Sequence, residues 1–417
     1  LAQQVQETLK GWKRGRTTVV TDLAPVQKPF VLLGITAALA LFAIIVSTTD
    51  AVQGILFIVG LALGLTLLYA RFGFTSAFRR LMAVGNAQGI QAHMVMLAVA
   101  STLFAIILST GFSFTGVTPA GYVSPVGVSV LFGAFIFGIG MQLGSGCASG
   151  TLYSVGGGSS SMILTLLGFI AGSVLGAYHF TFWMEETWAL EPFSLAESTN
   201  LGFFGAWLVQ MALFAAIYYG LKFIATKKNA PAMKPLPTTT GFKKVFRGAW
   251  PLFTAAVILA LLNALTLTLR GNPWGITSAF ALWGSKFLEL FGVDVASWGY
   301  WQGNAEQLQN SILADSTSVM NFGIIIGAFI AAAATGAFKP KKIKPGIAAG
   351  SIIGGLLMGY GARLAFGCNI GAYFGGIASF SLHGWVWAVM AMLGTGLALF
   401  IRPIFGLKNP KPKDTLC

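Results

Sequence analysis

The chain has 417 residues, 55% hydrophobic and only 9% charged, with a mean hydropathy of +0.76. Soluble domains carry roughly 25% charged residues, so this composition excludes a globular soluble protein and describes a polytopic membrane protein in a lipid bilayer. Three cysteines with no C-x-x-C pair exclude a disulfide framework and a structural zinc site, and neither a metal nor a cofactor is expected.

A bilayer core about 30 Å thick needs roughly 20 apolar residues per crossing helix. In chain order, about ten such stretches fall at 30–48, 51–70, 92–113, 127–144, 162–180, 201–225, 249–269, 320–338, 346–363 and 384–404. Basic residues occupy alternate loops: Lys10, Lys13, Arg14, Arg16 and Lys28, then Lys227, Lys228, Lys234, Lys243, Lys244 and Arg247. Further on come Lys339, Lys341, Lys342 and Lys344, then Lys408, Lys411 and Lys413. Carboxylates occupy the other loops, at Asp50, Glu185, Glu186, Glu191, Glu197, Asp294, Glu306 and Asp315. The positive-inside rule then places both termini in the cytoplasm. The formal charge of +14 is thereby topological, and nucleic acid is not an expected partner.

Two stretches are duplicated. Gly138-Ile-Gly-Met-Gln-Leu-Gly-Ser-Gly-Cys-Ala-Ser-Gly150 matches Gly359-Tyr-Gly-Ala-Arg-Leu-Ala-Phe-Gly-Cys-Asn-Ile-Gly371, and Gly73-Phe-Thr-Ser-Ala-Phe78 matches Gly275-Ile-Thr-Ser-Ala-Phe280. Corresponding spans are five crossings apart, an odd number, so the halves are related by inversion, a common transporter architecture. The expected fold is all-α, with about ten transmembrane helices in an inverted-repeat arrangement. Segments 73–83, 145–158, 275–288 and 366–380 are too short and glycine-rich to cross alone, and read as four short, partly inserted helices. Non-helical backbone at that depth must be buried in protein or line a water-filled path. The chain divides into a basic arm and extra helix (1–50), a first half (51–180), a connecting region (181–248), a second half (249–405) and a basic tail (406–417).

Cys147 and Cys368 stand at equivalent points of the halves, each preceded by a glycine, Gly146 and Gly367. A lone buried cysteine is usually a small hydrophobe; symmetric duplication in a partly inserted segment points to a pathway instead. A neutral thiol is a soft, weak donor that can hold an anion loosely enough to release it. Ser145, Asn369, Thr75 and Thr277 add hydrogen-bonding groups, while Gly73 and Gly275 open the other two short segments. Arg363 and its counterpart Gln142 precede the cysteines by five residues. An intramembrane arginine is expensive and usually functional, although Arg363 near a span end could instead snorkel to the interface. Arg71, Arg79 and Arg80 read as topology-setting charges. His93, His179 and His383 read as interfacial, and Cys417 as an exposed cytosolic thiol. Tryptophans such as Trp183, Trp188, Trp250 and Trp298 read as interface anchors.

At these motifs the chain resembles the YeeE/YedE family of bacterial inner-membrane proteins, one branch of which imports thiosulfate. The resemblance is carried by Arg71-Phe-Gly-Phe-Thr-Ser-Ala-Phe-Arg79, by 144–150 and by 361–371. Phe380-Ser-Leu-His-Gly-Trp385 and Arg402-Pro-Ile-Phe405 look closer to the YedE branch, which is associated with selenium metabolism. The resemblance implies an hourglass-shaped permease, not an enzyme, that passes thiosulfate or a related sulfur anion along cysteines at a constriction. It matches two of those cysteines here, Cys147 and Cys368, whereas a third falls on Gly73. It also implies a small cytosolic sulfur carrier of the TusA/YeeD type as a partner. Alternatives are transport of a selenium species, a membrane thiol relay or sulfurtransferase, and an anion channel or scaffold.

Overall fold

The computed structural model describes residues 23–233, 241, 243–340 and 342–411. Lys10, Lys13, Arg14, Arg16, Lys234, Lys341, Lys413 and Cys417 lie outside the described residues. The principal helices form two series of seven. The first is α1 (Lys28–Thr48), α2 (Ala51–Ala70), α3 (Phe74–Val84), α4 (Gln88–Thr110), α5 (Val128–Leu143), α6 (Ala148–Gly156) and α7 (Ser160–Tyr178). The second is α8 (Gly202–Lys227), α9 (Leu252–Arg270), α10 (Thr277–Glu289), α11 (Ser316–Ala334), α12 (Pro345–Leu364), α13 (Asn369–Gly376) and α14 (Leu382–Ile401). Ten of the described helical segments are long and apolar enough to cross a membrane, and α3, α6 and α13 continue three of them after a break.

Each helix of the first series corresponds to the one seven places later. Packing follows that rule: α2 lies on α11 as α9 lies on α4, and α7 lies on α12 as α14 lies on α5. The short helices obey it too, α3 against α14 and α10 against α7. The pairs α5–α12 and α2–α9 meet across the pseudo-axis. The packing correspondence also takes in α1, which rests on α11, and α8, which rests on α4. Both carry large exposed apolar side chains such as Leu33, Leu39, Phe204 and Phe223, as lipid-facing helices do. The architecture is therefore an all-α inverted repeat.

In lipid there is little hydrophobic drive between helices, so close approach through small residues holds them together. Gly168 and Gly172 of α7 face Gly355 and Gly359 of α12; a Cβ on Gly168 would sit 2.5 Å from the Ile352 carbonyl oxygen. Gly60 and Gly64 of α2 meet Gly323 and Gly327 of α11 in the same way, where a Cβ on Gly60 would sit 2.5 Å from the Met320 carbonyl oxygen.

Caps set several ends that hydropathy alone misplaces. The expected span 320–338 lies one turn earlier, because the Asp315 carboxylate accepts hydrogen bonds from Thr317 N (3.4 Å) and Ser318 N (2.8 Å) and Gly336 turns left-handed beyond the helix. The expected span 92–113 begins at Gln88 and is closed by left-handed Gly111. A two-residue ladder, Val126–Gly127 with Ala189–Leu190, is the small strand pair that the apolar runs did not announce.

Two of the three histidines expected at the interface are buried instead. His93 sits among Phe72, Phe74, Phe78 and Tyr373, and His383 bonds Ser381 Oγ through Nδ1 at 2.7 Å. Both lie near span ends, but α3 and α13 fold back over those ends. His179 is exposed, with Tyr360 OH 3.2 Å from Nδ1.

Candidate functional site

Each cysteine is the N-cap of a half-helix. Cys147 opens α6 and Cys368 opens α13, which winds as a π-helix. The chain reaches them through matching kinks, since Ser145 (φ 62°) and Phe366 (φ 53°) are both left-handed at equivalent positions. Gly367 has φ 138°, a conformation closed to most side chains; Gly146 needs no such freedom but lies against the start of α6. Cys147 and Cys368 are each 1% exposed and share one continuous buried core. The two helices they open, α6 and α13, touch.

Helix N-termini present unpaired N–H groups and a partial positive charge, an arrangement suited to anions. Around Cys147, Ser149 Oγ lies 3.4 Å from the thiol, and the buried Thr75 hydroxyl lies beside it without a hydrogen-bond partner. Gly73, the N-cap of α3, adjoins this patch. Around Cys368, the sulfur accepts from Ile370 N at 3.4 Å. Asn369 is fully buried, and neither its Nδ2 nor its Oδ1 has a partner. A buried primary amide without partners costs about 1–3 kcal/mol, which marks it as aimed at something the folded chain does not itself supply.

Gln142 and Arg363 perform the same structural task with different chemistry. Gln142 Nε2 donates to the Thr75 carbonyl (3.0 Å) and Thr395 Oγ1 (3.3 Å), while its Oε1 accepts from Arg79 (3.3 Å) and its carbonyl from Arg402. Arg363 reaches the equivalent short helix, donating to Thr277 Oγ1 at 2.6 Å and to Tyr300 OH. Rather than snorkelling to the interface, Arg363 is 6% exposed as a residue, and its guanidinium packs over the Tyr300 ring at 5.4 Å and leaves Nε unpartnered.

Arg363 lines a cavity of about 220 Å³ with Gly275, Thr277, Gly367, Arg270 and Tyr122. A side chain on Gly275 would meet nothing within 4 Å, so glycine keeps this volume open. Tyr122 OH donates to the Phe366 carbonyl, and its N–H to Ser379 Oγ at 2.9 Å, strapping the 111–127 loop over the kink that leads to Cys368. Burial pushes the Tyr122 hydroxyl up to about 12, with Arg363 opposing the shift, so it remains a neutral donor at physiological pH. The cavity opens on the face of the acidic loops. On the face of the basic loops a second cavity, about 240 Å³, is lined by Tyr69, Arg71, Gly157 and Arg247.

The structure thus gathers Gly275, Thr277, Arg363 and Gly367 at one cavity, and Gln142, Thr75, Gly73, Ser145 and Gly146 around the approach to Cys147. The motifs did not point to Tyr122, Tyr300 or Arg270, which lie in loops or at a helix end. Arg79 and Arg402 read as topology and resemblance only; the signal for them would have been polar partners within the other half.

An inverted repeat with paired half-helices, flanked by cationic cavities on both faces, defines a multi-pass membrane transporter for a small anion. The sulphur-transport family model matches residues 69–397, and the chain belongs to that family. It is 28% identical over 360 residues to the thiosulfate transporter TsuA of Escherichia coli K12, covering 83% of this chain and 94% of that protein. It is 30% identical over 363 residues to TsuA of Spirochaeta thermophila, covering 81% and 95%. The probable transporter YedE of Escherichia coli K12 is 35% identical over 159 residues, covering 37% of this chain and 39% of that relative's length.

Proposed function

We propose that the protein imports thiosulfate, or a closely related sulfur oxyanion, through a constriction formed where α6 and α13 begin. The observation that carries this reading is that both half-helices start at a buried cysteine, with unpartnered amide and hydroxyl groups beside it. Thiosulfate has a soft terminal sulfur and three hard oxygens. A neutral S–H suits the first; the Asn369 amide, the helix N–H groups and the Arg363 guanidinium suit the others. Weak thiol contacts permit release, which conduction requires. The near-full-length likeness to two thiosulfate transporters supports the same substrate.

In this reading the acidic-loop face is outside. Substrate enters the cavity around Arg270 and Arg363, passes Cys368 and Cys147, and leaves toward the basic-loop face, which is cytoplasmic. There Lys228, Lys339, Lys342 and Lys344 offer a receiving surface for a small acidic sulfur carrier.

The test is growth and labelled-thiosulfate uptake in cells given thiosulfate as sole sulfur source. Cys147→Ala and Cys368→Ala should each cut uptake by roughly tenfold or more, the scale of losing a hydrogen bond to a charged group. Uptake at the wild-type rate in both variants overturns the reading. Competition with sulfate and with selenium oxyanions in the same assay fixes the substrate class.

A further inference from the structure

Between Cys147 and the basic-face cavity the structure holds a phenol that neither the motifs nor the family match assigns. Tyr153 lies six residues along α6 from Cys147, about 9 Å toward the basic face at 1.5 Å per residue. Its OH overhangs the start of α3: a Cβ built on Gly73 would sit 3.7 Å from it and 2.6 Å from Ser76 Oγ. Tyr153 thereby joins the helix that Cys147 caps to the N-cap of α3, two residues beyond Arg71. Its backbone carbonyl borders Gly157, which lines the same cavity as Arg71. The equivalent position in the second half is Phe374, so this hydroxyl is not part of the duplication.

We infer that Tyr153 OH is the relay point that takes the anion from Cys147 and passes it to Arg71 at the basic-face cavity. This rests on the import reading above and adds a pathway residue to it. A phenol supplies one neutral donor and no permanent charge, so it assists passage without forming a trap. Gly73 has an ordinary extended backbone (φ −117°) that a serine can adopt, and the Ser76 hydroxyl, 2.6 Å from where its Cβ would sit, turns aside to admit it.

The geometry specifies a rescue. Tyr153→Phe should lower labelled-thiosulfate uptake roughly tenfold, the lower end of what a hydrogen bond to a charged group is worth. Protection of Cys147 from alkylation by added thiosulfate should be unchanged, because binding at the constriction precedes the relay. Gly73→Ser in the Tyr153→Phe background should restore uptake to within about threefold of wild type, by returning a hydroxyl to the same place. The inference is overturned if Tyr153→Phe transports normally, if uptake and protection fall together, or if Gly73→Ser is active alone yet gives no rescue. Should Gly73→Ser alone be inactive, the split between uptake and protection decides. A result in which the cysteine variants fail and Tyr153→Phe does not removes this relay and leaves the import reading standing. Normal uptake in both cysteine variants removes that reading itself.

Discussion

The two halves hold their short helices by different means. On the acidic-face side one buried guanidinium, Arg363, bonds Thr277 and Tyr300 and also lines an open cavity. On the basic-face side the equivalent residue is a neutral amide, Gln142, and the charge comes from Arg79 and Arg402 bonded to it. Duplicated backbone therefore carries unduplicated chemistry. In the half around α12 the cation faces substrate space, whereas in the half around α5 the cations are tied into the scaffold. A cleft with one sign of charge concentrates its counter-ion, so on the import reading proposed above capture belongs to the half around α12 and release to the half around α5.

Converting one half toward the other breaks this comparison. Arg363→Gln gives the acidic-face half the amide of its counterpart and should cost most. Losing a charged hydrogen bond of about 1.5–3 kcal/mol predicts a rise of roughly 10- to 150-fold in the KM of thiosulfate uptake. An unchanged KM would show that Arg363 is scaffold after all. Gln142→Leu removes a partner from Arg79, Thr75 and Thr395 together. Its expected signature is a lowered melting temperature in detergent and a several-fold loss of uptake, with KM little changed.

Asn369→Ala sharpens the comparison from another side, because position 369 corresponds to Ala148 in the first half. Deleting an amide that has no partner relieves a buried polar group, so thermal stability should hold or rise slightly while uptake falls several-fold. A drop in stability with normal uptake would reverse that assignment. Tyr122→Phe is expected to act least. It loosens the strap on Phe366 by about 1 kcal/mol and should raise the alkylation rate of Cys368 more than it alters uptake.

The sequence was most legible where one physical rule dominated. Apolar runs located the crossing helices, and glycines flanking Cys147 and Cys368 located the half-helices, because backbone at that depth needs either shelter or a path. Ends were less legible where a cap outranked hydropathy, as at Asp315. His93 and His383 were misplaced because distance along the chain from a span end says nothing about a half-helix folding back over it. Tyr122 and Tyr300 were invisible because a loop tyrosine carries no periodicity; only tertiary structure brings them to Phe366 and Arg363. The π-helical winding of α13 likewise had no mark in a motif shared with α-helical α6.

The most direct measurement is alkylation of membrane vesicles bearing a Cys417→Ser variant, so that Cys147 and Cys368 are the remaining thiols. A small maleimide reaching either one is expected to abolish thiosulfate uptake, and added thiosulfate to slow the labelling of both while sulfate slows it less. Full labelling at both positions with uptake intact would contradict that expectation.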